Sequence, residues 1–218
     1  MKIEVVQSVL KADRDTARRT RARLDAAGVV AFNVMSAPGS GKTSLLERTI
    51  PALGPDRRSA VLVGDLQTTR DAERLGRSGA QVVQINTGRG CHLSAEQVAE
   101  GLDRLDVSAL SFVFIENVGN MVCPAGRDLG EHLRVVLLSI PEGDDKVAKY
   151  PTLFQPADVI LLTKTDLLGV LDYDAGRVRD DLSRINTAAP LIETSVKTGQ
   201  GMAEWLTWLA ARRPGPEP

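Results

Sequence analysis

The chain has only two cysteines, Cys91 and Cys123, and two histidines, His92 and His132. Two cysteines in a reducing compartment do not make a disulfide framework. No apolar run is long enough to span a bilayer, and the N-terminus lacks the apolar stretch of a signal peptide. A cytoplasmic protein with no membrane partner is expected. Net charge is also nearly absent, −1 from 27 basic and 28 acidic residues, so no basic field argues for nucleic acid. Arg14, Arg18, Arg19, Arg21 and Arg23 are interleaved with Asp13 and Asp15 and read as a solvated helix face. Repeats are missing, and the one low-complexity stretch is the Pro-Gly-Pro-Glu-Pro tail, which should fray. What remains is an ordinary globular composition over 218 residues, enough for one domain with a sizeable core.

The organising stretch is Val29 to Leu46. Val29–Met35 reads as a buried strand, Pro38-Gly39-Ser40-Gly41 as a turn, and Lys42-Thr43-Ser44 as the opening of a helix with Leu45 and Leu46 on its inner side. A strand, a glycine-rich loop and a helix N-terminus cradle phosphate. Lys42 is placed for the β/γ-phosphates and the Thr43 hydroxyl for Mg²⁺. The general P-loop pattern has glycine where this chain has Ser36.

Residues 1–10 carry no firm pattern. Asp13–Ala27 reads as a helix ending at Gly28. Lys42–Ile50 is a helix broken by Pro51, Gly54 and Pro55. Further strands are expected at Ala60–Gly64, Gln81–Ile85, Ser111–Glu116, Leu133–Ile140, Ala157–Leu162 and Leu191–Thr194. Helices are expected at Thr69–Ser78, from Ser94 to about Leu102, and at Ala175–Ile185 and Met202–Ala211. The strands are continuously apolar and alternate with helices. That predicts a three-layer α/β fold of the P-loop NTPase kind, a mostly parallel sheet with helices on both faces. The expected divisions are an N-terminal helical segment (1–28), a nucleotide domain (29–211) and a tail (212–218).

Ligands of such sheets bind past the C-terminal ends of the strands. Four motifs lie there. Asp65 ends the second strand and is a Mg²⁺ candidate; Asp71 is the second, with an equal claim to be a helix N-terminal acid offsetting the dipole. Glu116-Asn-Val-Gly119 ends the fourth strand, where a carboxylate faces the metal and the Gly119 backbone can sense a γ-phosphate. In Thr163-Lys164-Thr-Asp166, Asp166 can accept the guanine N1–H and exocyclic amine while the Lys164 stem covers the ring. Adenine presents no such donor pair, so GTP is expected over ATP. The usual first residue of this motif is Asn. Ser195-Val196-Lys197 is placed to reach the base carbonyl through a backbone N–H.

Gly90-Cys91-His92 follows the third strand and Cys123-Pro124 follows the fourth, so both cysteines and one histidine fall at the same sheet edge. Thiolate and imidazole suit Ni²⁺ or Zn²⁺. The plainer reading is two small buried thiols beside a hydrogen-bonded histidine. His132 has no ligand partner near it in sequence and reads as structural.

The segments Ser36–Thr43, Gly64–Arg74, Ile85–Leu93, Phe114–Pro124 and Glu142–Pro151 resemble the hydrogenase nickel-incorporation GTPases, the HypB family, from about Asp13 to Ala211. The resemblance implies a GTPase using Mg²⁺ that gates nickel delivery into [NiFe]-hydrogenase. It also implies a nucleotide-dependent homodimer that works with other maturation factors and the hydrogenase large subunit. Lys42, Asp65 and Glu116 would be catalytic, with Thr43, Asp65 and Glu116 around Mg²⁺. Cys91, His92 and Cys123 would hold nickel or zinc, and Asp166 would read guanine. An N-terminal cysteine motif and a histidine-rich stretch, present in some members, do not occur here, and Thr163 replaces Asn. The alternatives are a urease-type nickel GTPase, a metal-binding module with a slow or structural nucleotide site, and a small-molecule kinase. The urease family carries Cys-Pro-His where Cys91 and His92 are adjacent here. Lys146 and Lys149 are candidates for contacts across a dimer interface.

Overall fold

A computed structural model describes residues 4–65, 68–88 and 90–212. Among them, seven parallel strands form one sheet in the order β3-β2-β4-β1-β5-β6-β7. The strands are β1 (Val30–Met35), β2 (Ser59–Asp65), β3 (Gln81–Asn86), β4 (Phe112–Glu116), β5 (Leu133–Ser139), β6 (Val159–Thr163) and β7 (Leu191–Glu193). The helices are α1 (Glu4–Ala27), α2 (Lys42–Ala52), α3 (Arg70–Gly76), α4 (Ala95–Leu102), α5 (Lys146–Lys149), α6 (Pro151–Phe154), α7 (Ala175–Ile185) and α8 (Met202–Ala210). No described helix is long and apolar enough to cross a membrane.

β1 is central. Its side chains alternate between two covered faces: Val30, Phe32 and Val34 join the core under α2 and α8, whereas Ala31 and Met35 face the other side. Burial on both faces is why the strands read as unbroken apolar runs. Trp205 of α8 is fully buried and donates its indole N–H to Thr49 Oγ1 of α2 at 2.8 Å, which satisfies the one polar atom that its burial strands.

The expected strands and long helices are present, with ends shifted by a residue or two. Two differences go further. α1 continues back to Glu4, since residues 4–12 contain neither Gly nor Pro and extending an existing helix costs little. α2 runs through Pro51 to Ala52 and stops before Gly54, whose φ of 79° cannot continue a helix. Pro51 removes one hydrogen bond in a last turn that is already giving way. The Pro-Gly-Pro-Glu-Pro tail lies outside the described residues.

His132 is indeed structural: Nδ1 accepts the Ala31 N–H at 2.9 Å and Nε2 lies 2.9 Å from Asp25 Oδ1, which pins β1 to α1. Arg18, Arg21 and Arg23 pair with Asp15, Asp128 and Asp103.

Candidate functional site

The turn after β1 wraps the N-terminus of α2, with Gly39 and Gly41 at φ 77° and 100°. Most L-residues are strained there. Ser36, the departure from the P-loop pattern, is fully buried and useful: its Oγ accepts from Lys42 Nζ at 3.1 Å and donates to the Ala37 carbonyl at 2.8 Å. Burial pushes the Lys42 ammonium below its ordinary range, opposed by Glu116, Asp71 and Glu142.

A cleft of about 440 Å³ opens above this loop, lined among others by Lys42, Thr43, Asp65, Asp71, Glu116 and Gly119. Glu116 is 4% exposed and accepts the Thr43 hydroxyl at 2.6 Å through Oε1. Its Oε2 is buried with no hydrogen-bond partner among the described residues. Burial raises the carboxyl from 4.5 to about 7, against the lowering effects of Thr43 and Lys42. An orphaned acid oxygen beside a P-loop hydroxyl suits a divalent cation. Of the two remaining candidates, Asp65 accepts the Thr68 hydroxyl at 2.7 Å, and Asp71 is 3.3 Å from Arg74 Nη1. Gly119 packs directly on the loop: a Cβ there would lie 2.8 Å from Pro38 Cα and 2.9 Å from its N.

On the other flank, β6 leads into the Thr163–Asp166 segment. The Thr163 hydroxyl donates to the Ser40 carbonyl at 2.8 Å, and Lys164 Nζ to the Gly39 carbonyl at 2.6 Å. Thr163 therefore fastens this segment to the phosphate loop, a task within reach of any short side chain with a donor. Lys164 is the one non-glycine described residue at positive φ (60°), a conformation kept where surrounding contacts enforce it. Ser195 Oγ donates to Asp166 Oδ1 at 2.7 Å, and Lys197 Nζ stands 3.8 Å from Oδ2. The Ser195 hydrogen bond lowers the Asp166 pKa, which keeps the carboxylate an acceptor. Within Ser195-Val196-Lys197, the Ser195 N–H is committed to the Gln200 carbonyl at 3.0 Å.

Cys91, His92 and Cys123 come together, each half-buried, with their ligand atoms within 4.8 Å of one another. Cys91 Sγ is 3.5 Å from His92 Nδ1. Hydrogen bonding with Cys123, then burial, pushes the Cys91 thiol up. Burial, with Arg127 nearby, lowers the His92 pKa and favours the neutral, metal-binding imidazole. Two soft sulfurs and an imidazole fit Ni²⁺ or Zn²⁺. Lys146 and Lys149 both pair with Asp145 within the chain.

Three participants were missed from sequence. Glu142 Oε1 accepts the hydroxyls of Ser40 (2.7 Å) and Ser139 (2.6 Å), bracing the phosphate loop from β5. Arg74 lines the cleft and binds Glu47, Asp71 and the Ser44 hydroxyl. Asn117, 1% exposed, joins the loop after Glu116 to the segment after His92. Arg74 and Asn117 act over long sequence separations that periodicity does not register; Glu142 does so toward Ser40, but with Ser139 it also closes a Ser-x-x-Glu capping box that the sequence displays.

Residues 30–193 match the family model described as CobW/HypB/UreG, nucleotide-binding domain. The hydrogenase maturation factor HypB of Azotobacter vinelandii is 47% identical over 211 residues, covering 97% of this chain and 70% of that protein. The crystal structure of HypB from Helicobacter pylori in complex with nickel superposes with a TM-score of 0.87 and 38% identity, covering 92% of this chain and 94% of that one. The signal recognition particle 54 kDa protein of Aeropyrum pernix, solved with GDP, shares the fold alone: TM-score 0.57, 15% identity, 81% of this chain and 43% of that one.

Proposed function

The chain belongs to the CobW/HypB/UreG family, and from that premise we propose that it is a nickel-binding GTPase whose nucleotide cycle gates nickel delivery into [NiFe]-hydrogenase. The observation that carries this is the sharing of β4: one connection bears both Glu116, in contact with Thr43, and Cys123, in contact range of Cys91 and His92.

In this reading Lys42 and the loop N–H groups bind the β/γ-phosphates. Thr43, Asp65 and Glu116 hold Mg²⁺, with Asp71, beside Arg74, as the alternative carboxylate. Bound there, Mg²⁺ would supply neutralisation of the phosphate charge. Asp166 selects guanine, Lys164 covers the ring, and a backbone N–H of Val196 or Lys197 meets the base carbonyl. Nickel is the cargo, carried by Cys91, His92 and Cys123; zinc suits the same donors. Three ligands per chain leave a coordination shell that a second copy can complete across a two-fold axis, so a nucleotide-dependent homodimer follows, with Lys146 and Lys149 exchanging Asp145 for contacts across the interface. Other maturation factors and the hydrogenase large subunit are the partners on either side of transfer, in the cytoplasm.

The test is nickel titration of the GDP-bound and GTP-analogue-bound protein with mass measured alongside, repeated in Cys123→Ser. Nickel affinity should change with the nucleotide in the parent chain and collapse in the variant. Equal nickel affinity in both nucleotide states would defeat gating. Single-turnover GTP hydrolysis separates this reading from a metal-binding module with a structural nucleotide.

A further inference from the structure

We infer that Leu93 and Asn117 form a clasp that passes the state of the nucleotide cleft to the metal triad, with Asn117 as its positioning residue. This rests on the function proposed above and names the parts through which the two sites communicate.

Asn117 directly follows Glu116. Its Oδ1 accepts two backbone N–H groups, that of Val118 at 3.0 Å and that of Leu93 at 3.2 Å. Its Nδ2 donates to Asn33 Oδ1 of β1 at 3.2 Å. One buried side chain thus holds the Glu116–Gly119 segment, the strand feeding the phosphate loop, and the residue after His92. Leu93 is fully buried and wedged against the end of β2: a Cβ on Gly64 would lie 2.8–3.0 Å from three Leu93 side-chain carbons. Gly64 precedes Asp65. Leu93 therefore sits between the ends of β2 and β4, the two strands that present Asp65 and Glu116, and His92 is its neighbour in the chain.

The far side of the Cys123 loop is anchored to β5, and Asn33 is the point of β1 that both arms share. Asn33 Nδ2 reaches Glu131 Oε1 at 3.4 Å, and Glu131, 4% exposed, also accepts from Arg134 Nε at 2.9 Å and from the Leu129 N–H at 2.7 Å. Arg134 in turn donates to the carbonyls of Ala125 (3.3 Å) and Arg127 (2.8 Å). Residues 125–131 are thereby tied to β5. A shift of Glu116–Gly119 toward a γ-phosphate moves Asn117, and Leu93 follows because parting would strand its buried N–H. Cys91 and His92 then move against a Cys123 whose downstream chain is fixed. The triad changes shape, and nickel affinity changes with it.

The experiment compares the full chain with Asn117→Ala and Asn117→Leu, all checked for folding by near-ultraviolet circular dichroism. Nickel affinity is titrated in the GDP-bound and GTP-analogue-bound forms. The reaction rate of Cys91 and Cys123 with a thiol reagent is read in the metal-free protein under the same two nucleotides. A parent ratio of about 5–150-fold between nucleotide states is expected, the usual range of site-to-site coupling. Both variants should bring it within about twofold of one and abolish the nucleotide dependence of thiol reactivity. A purely structural role would lower nickel affinity equally in both states and keep the ratio. A parent ratio of one overturns the gating function and the clasp together; a parent ratio retained in the variants overturns the clasp alone. If Asn117→Ala does not fold, Asn117→Leu, which keeps the side chain's volume but has no acceptor for the Leu93 N–H, carries the same decision.

Discussion

Thr43 Oγ1 donates to Glu116 Oε1 across 2.6 Å, joining the first turn after the phosphate loop to the end of the neighbouring strand. The hydroxyl and the carboxylate proposed to share Mg²⁺ are thus already in contact, and the carboxylate's second oxygen has no partner among the described residues.

That burial has a pH signature. The folded carboxyl titrates at about 7, above its ordinary 4.5. Its contribution to stability is complete below 4.5 and is lost as pH rises through 7, because the charged form is penalised only in the folded chain. In nucleotide-free, metal-free protein, Glu116→Gln should raise stability by about 1–3 kcal/mol at pH 8 and change it little at pH 5. Urea melts at the two pH values decide the matter; no difference between them would mean that Glu116 is ionised at ordinary cost.

Lys42→Ala should weaken GTP binding by about 2–5 kcal/mol, the usual cost of truncating one partner of a buried charge pair. The partner lost is the ammonium that Ser36 now holds. Calorimetry returning the parent affinity would remove this loop from the nucleotide site.

Asp166→Asn should reduce guanine selectivity by about 1–3 kcal/mol, the scale of an unpaired buried donor. Ser195 keeps the side chain oriented in the parent, so the loss concerns the base and not the loop. Competition of GTP with ATP and XTP measures it. Unaltered selectivity would make residues 163–166 a connection only.

Thr163→Val should weaken GTP and GDP by similar factors and destabilise the protein by about 1–3 kcal/mol, because the Ser40 carbonyl loses its buried donor. Thr163→Ser should restore both. Nucleotide affinities that part company in Thr163→Val would place the residue on the γ-phosphate side instead.

The fold was legible because its strands are buried on both faces and carry their signal in consecutive residues, as Val30–Met35 and Phe112–Glu116 do. The phosphate loop and the convergence of Cys91, His92 and Cys123 were legible because each follows a strand end in a parallel sheet. Ser36 and Thr163 looked like departures from pattern, and their hydroxyls turn out to meet Lys42 and the Ser40 carbonyl. Glu142, Arg74 and Asn117 escaped notice for the opposite reason. Their contacts reach 102, 27–30 and 24–84 residues away in the chain, so lying in the motif segments did not reveal which side chains they meet.

The packing of Gly119 on Pro38 bears on how this site can drift over generations. The atoms that a Cβ at 119 would strike first are backbone Cα and N, not the proline ring alone. Exchanging Pro38 for a smaller residue leaves those two atoms where they are, so no single compensating change at 38 makes room. A side chain at 119 therefore requires the backbone of the phosphate loop itself to move.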